Sequence, residues 1–194
     1  MMRLHMPVSD EANTLLADDP FALLIGMVLD QQIPLEIEFS SPLELKNLLG
    51  GKLDPELIAS MDPEELGKHF AKPPALHRFP VANAKRVQAL AHIVVDEYDG
   101  QAENVWMRPR TGDQLFQAVH ALPGFGEQKA RIFIALLGKQ LGVRPRGWRT
   151  TCDPFGKAGT KMSVADIVDE KSLFAVRSWK AAKKAAAKAA ASEQ

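Results

Sequence analysis

The chain of 194 residues contains a single cysteine, Cys152. One thiol closes no internal disulfide, and it cannot supply the thiolate ligands of an iron–sulfur cluster or a cysteine zinc cage. A reducing compartment is the matching expectation. Long apolar runs are lacking as well: Phe21–Leu29 is far shorter than the roughly 20 residues of a membrane-spanning helix. Met1–Asp10 carries no signal-peptide core. No segment alternates apolar and polar residues between hairpin turns, so strands are not expected. These absences predict a cytoplasmic, monomeric protein with no membrane partner.

Net charge is also lacking, because 24 Lys+Arg balance 24 Asp+Glu. The balance hides an asymmetry. Residues 1–126 hold 10 basic against 18 acidic side chains, and residues 127–194 hold 14 against 6. A basic part of this kind predicts a face that binds a polyanion, or else two complementary halves that pack on each other.

What is present is helical punctuation. Asp19-Pro20, Ser41-Pro42, Asp54-Pro55 and Asp62-Pro63 each set a capping residue before a proline at the first helical position. Helices are predicted near 10–17, 20–32, 42–49, 54–60, 63–71, 81–98, 112–120, 127–140 and 164–190, which makes the fold all-α. Residues 73–80, rich in proline, read as a rigid connector, and Gly142–Thr160 as an ordered loop over the basic face. Residues 1–178 form the domain. Residues 179–194, an Ala/Lys-rich tail, read as a solvated terminal helix or a DNA-binding extension.

The stretch Leu122-Pro123-Gly124-Phe125-Gly126 joins two of these helices. After it the N–H groups of Glu127, Gln128 and Lys129 stand at the positive end of a helix, where an anion docks. A dinucleotide loop needs a preceding strand and a third glycine, and a nucleotide-triphosphate loop needs its lysine after a four-residue spacer. Neither pattern occurs here. A nucleic-acid phosphate is the better match, the alternative being a tight turn with glycines used for packing.

The segment "LPGFGEQKARIFIALLG" resembles the DNA-binding hairpin of the helix-hairpin-helix base-excision DNA glycosylases. "FALLIGMVLDQQIP" (21–34) is similar to an early helix of that family ending in paired glutamines beside the base-binding cleft. The likeness covers about residues 20–140. It implies two helical lobes around a cleft, with the hairpin at about 112–140. The implied partner is duplex DNA with a damaged or mismatched base, extruded into the cleft and released by hydrolysis of its glycosidic bond. Gly124, Phe125 and Gly126 then meet a phosphate. The carbonyls of His120, Leu122 and Phe125 match those that hold a monovalent cation, K+ or Na+. Gln31 and Gln32 match the base pocket or serve as helix-end caps.

Two departures refine the implied chemistry. Bifunctional members carry a lysine two residues after the second glycine, and here that residue is Gln128, which forms no imine. Lys129, one residue on, is turned by about 100° around the helix and points elsewhere. A monofunctional glycosylase, using water as nucleophile and without an iron–sulfur cluster, is the expectation. The second departure concerns the catalytic aspartate, which the family places about twenty residues beyond the second glycine to oppose charge on the sugar. Arg146 stands there, and Asp153 comes 27 residues after Gly126. An insertion at 143–149 makes Asp153 the first candidate, with Asp166 and Asp30 as alternatives; Asp153 also reads as a turn or N-cap residue before Pro154, and Asp166 as a first-turn acid of the last helix. Arg146, Trp148 and Arg149, with Gln128 and Lys129, complete the expected DNA contacts, although Trp148 can equally anchor its loop. Rival readings are a protein that binds altered DNA without cutting it and an interaction module whose acidic part docks a partner. Which base is the substrate is not legible in these residues.

Overall fold

The computed structural model describes residues 4–30 and 34–192. The described residues are mostly helical and no strand occurs among them, so the fold is all-α as expected. In chain order the helices are α1 (Asp10–Asp18), α2 (Pro20–Leu29), α3 (Leu35–Leu48), α4 (Pro55–Ser60), α5 (Pro63–Ala71) and α6 (Pro80–Tyr98). Then follow α7 (Asn104–Met107), α8 (Gly112–His120), α9 (Glu127–Gln140), α10 (Trp148–Thr151), a 3-10 turn at Val164–Asp166, and α11 (Glu170–Ser192).

Three of the aspartate–proline pairs act as predicted. Asp19 accepts from the N–H groups of Phe21 and Ala22, Asp54 from that of Glu56, and Asp62 from those of Glu64 and Glu65. Each carboxylate satisfies donors that have no partner inside the helix, and each proline occupies a position where an N–H is dispensable.

Ser41-Pro42 does not start a helix. It lies inside α3, which begins seven residues earlier after Pro34. Ser41 is buried, and its hydroxyl donates to the carbonyls of Ile37 at 2.6 Å and Leu76 at 2.9 Å. It thereby ties α3 to the proline-rich connector. Pro42 cannot donate to the carbonyl of Glu38, so the helix passes through a missing rung there. The predicted helix over 164–190 is likewise corrected: Ser163 and Asp166 form a capping box that starts a separate 3-10 turn, Val164–Asp166, and α11 begins only at Glu170. The loop at 142–160 contains α10, and α7 was not anticipated.

Two packed groups of helices meet at α2. Phe21 through Leu29 are all buried, because α2 is covered by α1, α3 and α6. Helices α4 and α5 pack along α6, while α8, α9, α10 and the 3-10 turn form the other group. Phe133, Ile134, Leu136 and Leu137 make the buried face of α9. No single helix among the described residues is long and apolar enough to cross a membrane.

Candidate nucleic-acid interface

Helices α8 and α9 form a hairpin around residues 121–126. Gly124 has φ +80°, a left-handed conformation that side chains with a β-carbon adopt at a cost, so the turn itself requires this glycine. Phe125 is buried and tilts against Phe133, with ring centroids 5.6 Å apart, which locks the loop to α9. Gly126 is different. Its φ is −71°, open to any residue, and a β-carbon there would meet nothing within 4 Å. Gly126 is the N-cap of α9, where glycine is tolerated better than any apolar residue, yet Ser, Asp or Asn would also satisfy the first-turn N–H groups that glycine leaves bare. Without a capping side chain, the N–H groups of Glu127, Gln128 and Lys129 have no hydrogen-bond partner among the described residues. They open outward at the positive end of a 14-residue helix. The charge of Glu127 is offset by Arg131 at 2.8 Å.

The three carbonyls expected to face a monovalent cation are partly available. That of Leu122 accepts the N–H of Phe125 at 3.1 Å, while those of His120 and Phe125 accept no backbone N–H among the described residues. Carbonyl oxygens are hard donors suited to an alkali ion, which would screen a phosphate against the loop.

The hairpin lies directly against the end of α2. A β-carbon at Gly124 would stand 3.7 Å from Val28 and 3.9 Å from Arg86. Lys129 donates to the carbonyls of Met27 at 2.8 Å and Val28 at 3.3 Å. Burial lowers the pKa of Lys129, against the opposing influence of Asp30 and Glu38. Its side chain is therefore engaged with the last turn of α2, on the side of the hairpin that faces the two acids. Gln128 is exposed. The residues Gln31 and Gln32 fall outside the described residues.

The predicted DNA contacts do not form one patch. Gly124, Gly126, Gln128 and Lys129 stand at the loop end of the hairpin. Arg146 is held at the other end, where it bridges to Thr111 and its carbonyl accepts the N–H of Gly112 at 2.8 Å. The nine residues of α8 separate the two ends by about 13 Å. Trp148 is an anchor and is not available to stack on a base. It is 6% exposed and packs over Gly138, where a β-carbon would come within 2.3 Å of its ring. Arg149 is exposed, and its guanidinium lies 4.8 Å from the centre of the Trp148 ring.

The three aspartates have unlike surroundings. The carboxylate of Asp153 is half exposed and pairs with Lys157 at 3.1 Å, while its carbonyl accepts from Arg131. Arg131 and Lys129 differ by about 200° around α9, so Asp153 and the end of α2 lie on opposite sides of that helix. Asp166 is buried and consumed: it receives Lys139 at 2.5 Å, Thr160 at 3.0 Å, and the N–H groups of Met162 and Ser163. Asp30 caps α2 and lines a cavity of about 280 Å³ with Pro34, Leu35, Glu36, Arg177 and Lys180. Of the three it is the one beside the hairpin loop.

Sequence reasoning missed Glu38. It sits on α3 with 0% exposure. Its signal was the spacing Glu38, Ser41, Leu45, a helical stripe that becomes visible once α3 is started at residue 35. The same reading missed Arg177 and Lys180, which α11 brings to the Asp30 cavity. No protein-family model, curated protein or solved structure matches this chain.

Proposed function

We propose that this chain is a helix-hairpin-helix, glycosylase-like protein that binds duplex DNA through the 121–126 loop and hydrolyses the glycosidic bond of a damaged or mismatched base. The observation that carries the reading is Gly126. It is a glycine with unstrained backbone, no internal neighbour and three unpartnered N–H groups behind it. Such a position is explained by an external anion that must come close to the backbone. The excess of basic residues from 127 onward favours a polyanion as that partner.

The chemistry follows from the carboxylates. A sugar losing its base develops positive charge, and a fixed negative group in a poorly hydrated site lowers the barrier. Asp153 is spread between Lys157 and solvent, and Asp166 has no free lone pair to offer. Asp30 has both a cavity and the hairpin beside it, so the proposed catalytic aspartate is Asp30. Gln128 supplies no amine and Lys129 is bound to two carbonyls, which supports a water-dependent, monofunctional reaction.

The test is single-turnover base release from duplexes carrying uracil, alkylated purines, oxidised bases or mismatches, alongside duplex affinity at several salt concentrations. Release of one class of base, with affinity falling as salt rises, is expected. Affinity that does not respond to salt removes DNA from the reading; salt-dependent binding without release reduces it to a DNA-binding protein.

A further inference from the structure

Glu38 is the most unusual buried group in the molecule. Neither of its carboxylate oxygens receives a hydrogen bond from the described residues, although the side chain is wholly removed from water. An ionised carboxylate in that state is strongly disfavoured. Burial first, and the charge of Asp30 second, raise the Glu38 pKa well above the usual carboxylate range, against the lowering influence of Lys129 and Lys180. These are the charges facing it: Asp30 from the end of α2, Lys129 from α9 and Lys180 from α11. Lys129 is already turned to the α2 carbonyls and does not pair with Glu38. As a neutral acid, Glu38 has one O–H to place, and the neighbouring acceptor is the carboxylate of Asp30. One of the two orphaned oxygens is then explained, because the acid is itself the donor; the other is the oxygen of a neutral carboxyl, which costs far less to bury unpaired than a carboxylate.

We propose that Glu38 holds a proton and donates it in a hydrogen bond to Asp30, so that the two form a carboxyl pair whose charged member faces the 280 Å³ cavity. Asp30 is the group that meets the ligand. Glu38 is a positioning residue that fixes the direction of the Asp30 carboxylate and keeps a second negative charge out of the site. The cavity has cations on its α11 wall, Lys180 and Arg177, the latter paired with Glu36. A carboxylate at one side and a lysine at the other suit a nucleotide unit, with the sugar at Asp30 and a phosphate at Lys180. This assignment of the ligand rests on the glycosylase reading. In the reaction the C1′–N bond breaks and its electron pair leaves with the base. The charge on Asp30 opposes the positive sugar. Water forms the new C1′–O bond, and the proton it loses passes by way of Asp30 to the departing base. Glu38 keeps its own proton throughout.

The pair is tested without DNA by carbon-13 NMR of the side-chain carboxyls in the full chain. Wild type should show one glutamate carboxyl, absent from Glu38→Gln, that is still protonated at neutral pH. In Asp30→Asn the same signal should titrate at lower pH, since the like charge is gone. Ionisation of every glutamate near the ordinary value of about 4.3 overturns the pair. The catalytic role is tested by base release as a function of pH, with folding checked by thermal melting. Glu38→Gln still donates to Asp30 and should keep the neutral rate while losing the alkaline decline of wild type. Glu38→Ala should fall by about 10-fold to 100-fold, less than the roughly 10²–10³ of losing a preorganised contact outright, because Asp30 keeps its charge. Identical pH profiles for wild type and Glu38→Gln overturn the positioning role. A protonated Glu38 in a protein that releases no base from any duplex sinks the glycosylase reading and the sugar role, and leaves the acid pair standing.

Discussion

Lys129 holds the end of α2: its ammonium group donates to the carbonyls of Met27 at 2.8 Å and Val28 at 3.3 Å. A lysine at a helix C-terminus meets unpaired carbonyls and the negative end of the helix dipole. Here it also joins the two groups of helices, because α9 belongs to one and α2 to the other. The hairpin loop is thereby fixed relative to Asp30, and the proposed phosphate site relative to the proposed catalytic carboxylate.

That bond predicts the outcome of borohydride trapping. A lysine nucleophile must be a free amine within reach of C1′. Lys129 is tied to two carbonyls and Gln128 has no amine. Incubation with a substrate duplex and borohydride should give no covalent protein–DNA adduct above that of a Lys129→Ala control. An adduct lost in that variant would make Lys129 a nucleophile and the water mechanism wrong.

The two loop glycines should separate stability from binding. Gly124→Ala places a β-carbon on a residue at φ +80°, which costs roughly 1 kcal/mol in stability. Gly126→Val meets no internal atom but replaces a favoured N-cap residue, so it should lower stability by about 1 kcal/mol or less. Its side chain would obstruct a phosphate, and duplex affinity should fall by about 10-fold or more, the value of one charge-assisted contact of about 1.5 kcal/mol. Full affinity in a folded Gly126→Val protein would remove the loop from the interface.

Trp148 should matter to folding and not to DNA. Trp148→Ala removes a buried ring packed on Gly138 and should destabilise by about 3–5 kcal/mol. Gly138→Ala drives a β-carbon to 2.3 Å from the same ring and should destabilise through overpacking, by about 1–3 kcal/mol or more. Urea denaturation measures both. A Trp148→Ala protein of wild-type stability with weakened DNA binding would contradict the anchoring role.

The aspartate–proline caps and the hairpin were legible because they are local: a side chain two or three residues from the N–H it satisfies leaves its mark in the spacing. The end of α3 was legible for the same reason, but its start was not. Pro42 has the appearance of a helix start, and only the contact of Ser41 with Leu76, 35 residues away, shows why the helix runs through it. Starting α3 too late hid Glu38, since a residue placed in a loop raises no question about burial. Trp148 was ambiguous by composition, standing among arginines, and its role is decided by Gly138 of another helix, over which its ring packs. Asp153 lay within reach of the expected spacing, yet the rotation of α9 between Lys129 and Arg131 sends it to the far side of the hairpin. Arg177 and Lys180 reach the cavity only because α11 folds back on the α2–α3 junction.

Glu38 gives stability a pH dependence of known sign. The unfolded chain releases this proton in the ordinary range near pH 4.3, and the folded chain keeps it to higher pH. Between those limits the native state binds more protons than the unfolded state, so stability falls as pH rises. Other groups contribute too: Lys129, lowered by burial, acts in the opposite sense as pH approaches its ordinary value. The difference between wild type and Glu38→Gln isolates the Glu38 contribution. Glu38→Gln should gain stability relative to wild type as pH is raised from the acid range to neutrality, by urea midpoints taken at each pH. A constant difference across that range would mean that Glu38 ionises normally in the folded protein.

The sharpest contrast concerns Asp30 and Asp153, which lie on opposite sides of α9. Asparagine keeps the shape and part of the hydrogen bonding of aspartate but carries no charge. Asp153 is half exposed and its partner Lys157 more so, an arrangement worth about 0–1 kcal/mol at most. Asp153→Asn should therefore leave stability and base release within about twofold of wild type, because solvent screens its charge from any group across the helix. Asp30 lines the cavity beside the hairpin, and a bound nucleotide unit would bring the sugar against its charge. Asp30→Asn should lower base release by about 10²–10³ while duplex affinity holds or rises slightly, a negative charge near the backbone having been removed. Asp166→Asn is a different case: the carboxylate anchors Lys139, Thr160 and two backbone N–H groups, so its loss should appear as a lower melting temperature before any loss of rate. If Asp153→Asn is inactive and Asp30→Asn is not, the charge reaches the sugar from the other side of the hairpin. The cavity at α11 would then have no part in catalysis, and the insertion at 143–149 would be what carries the aspartate to its site.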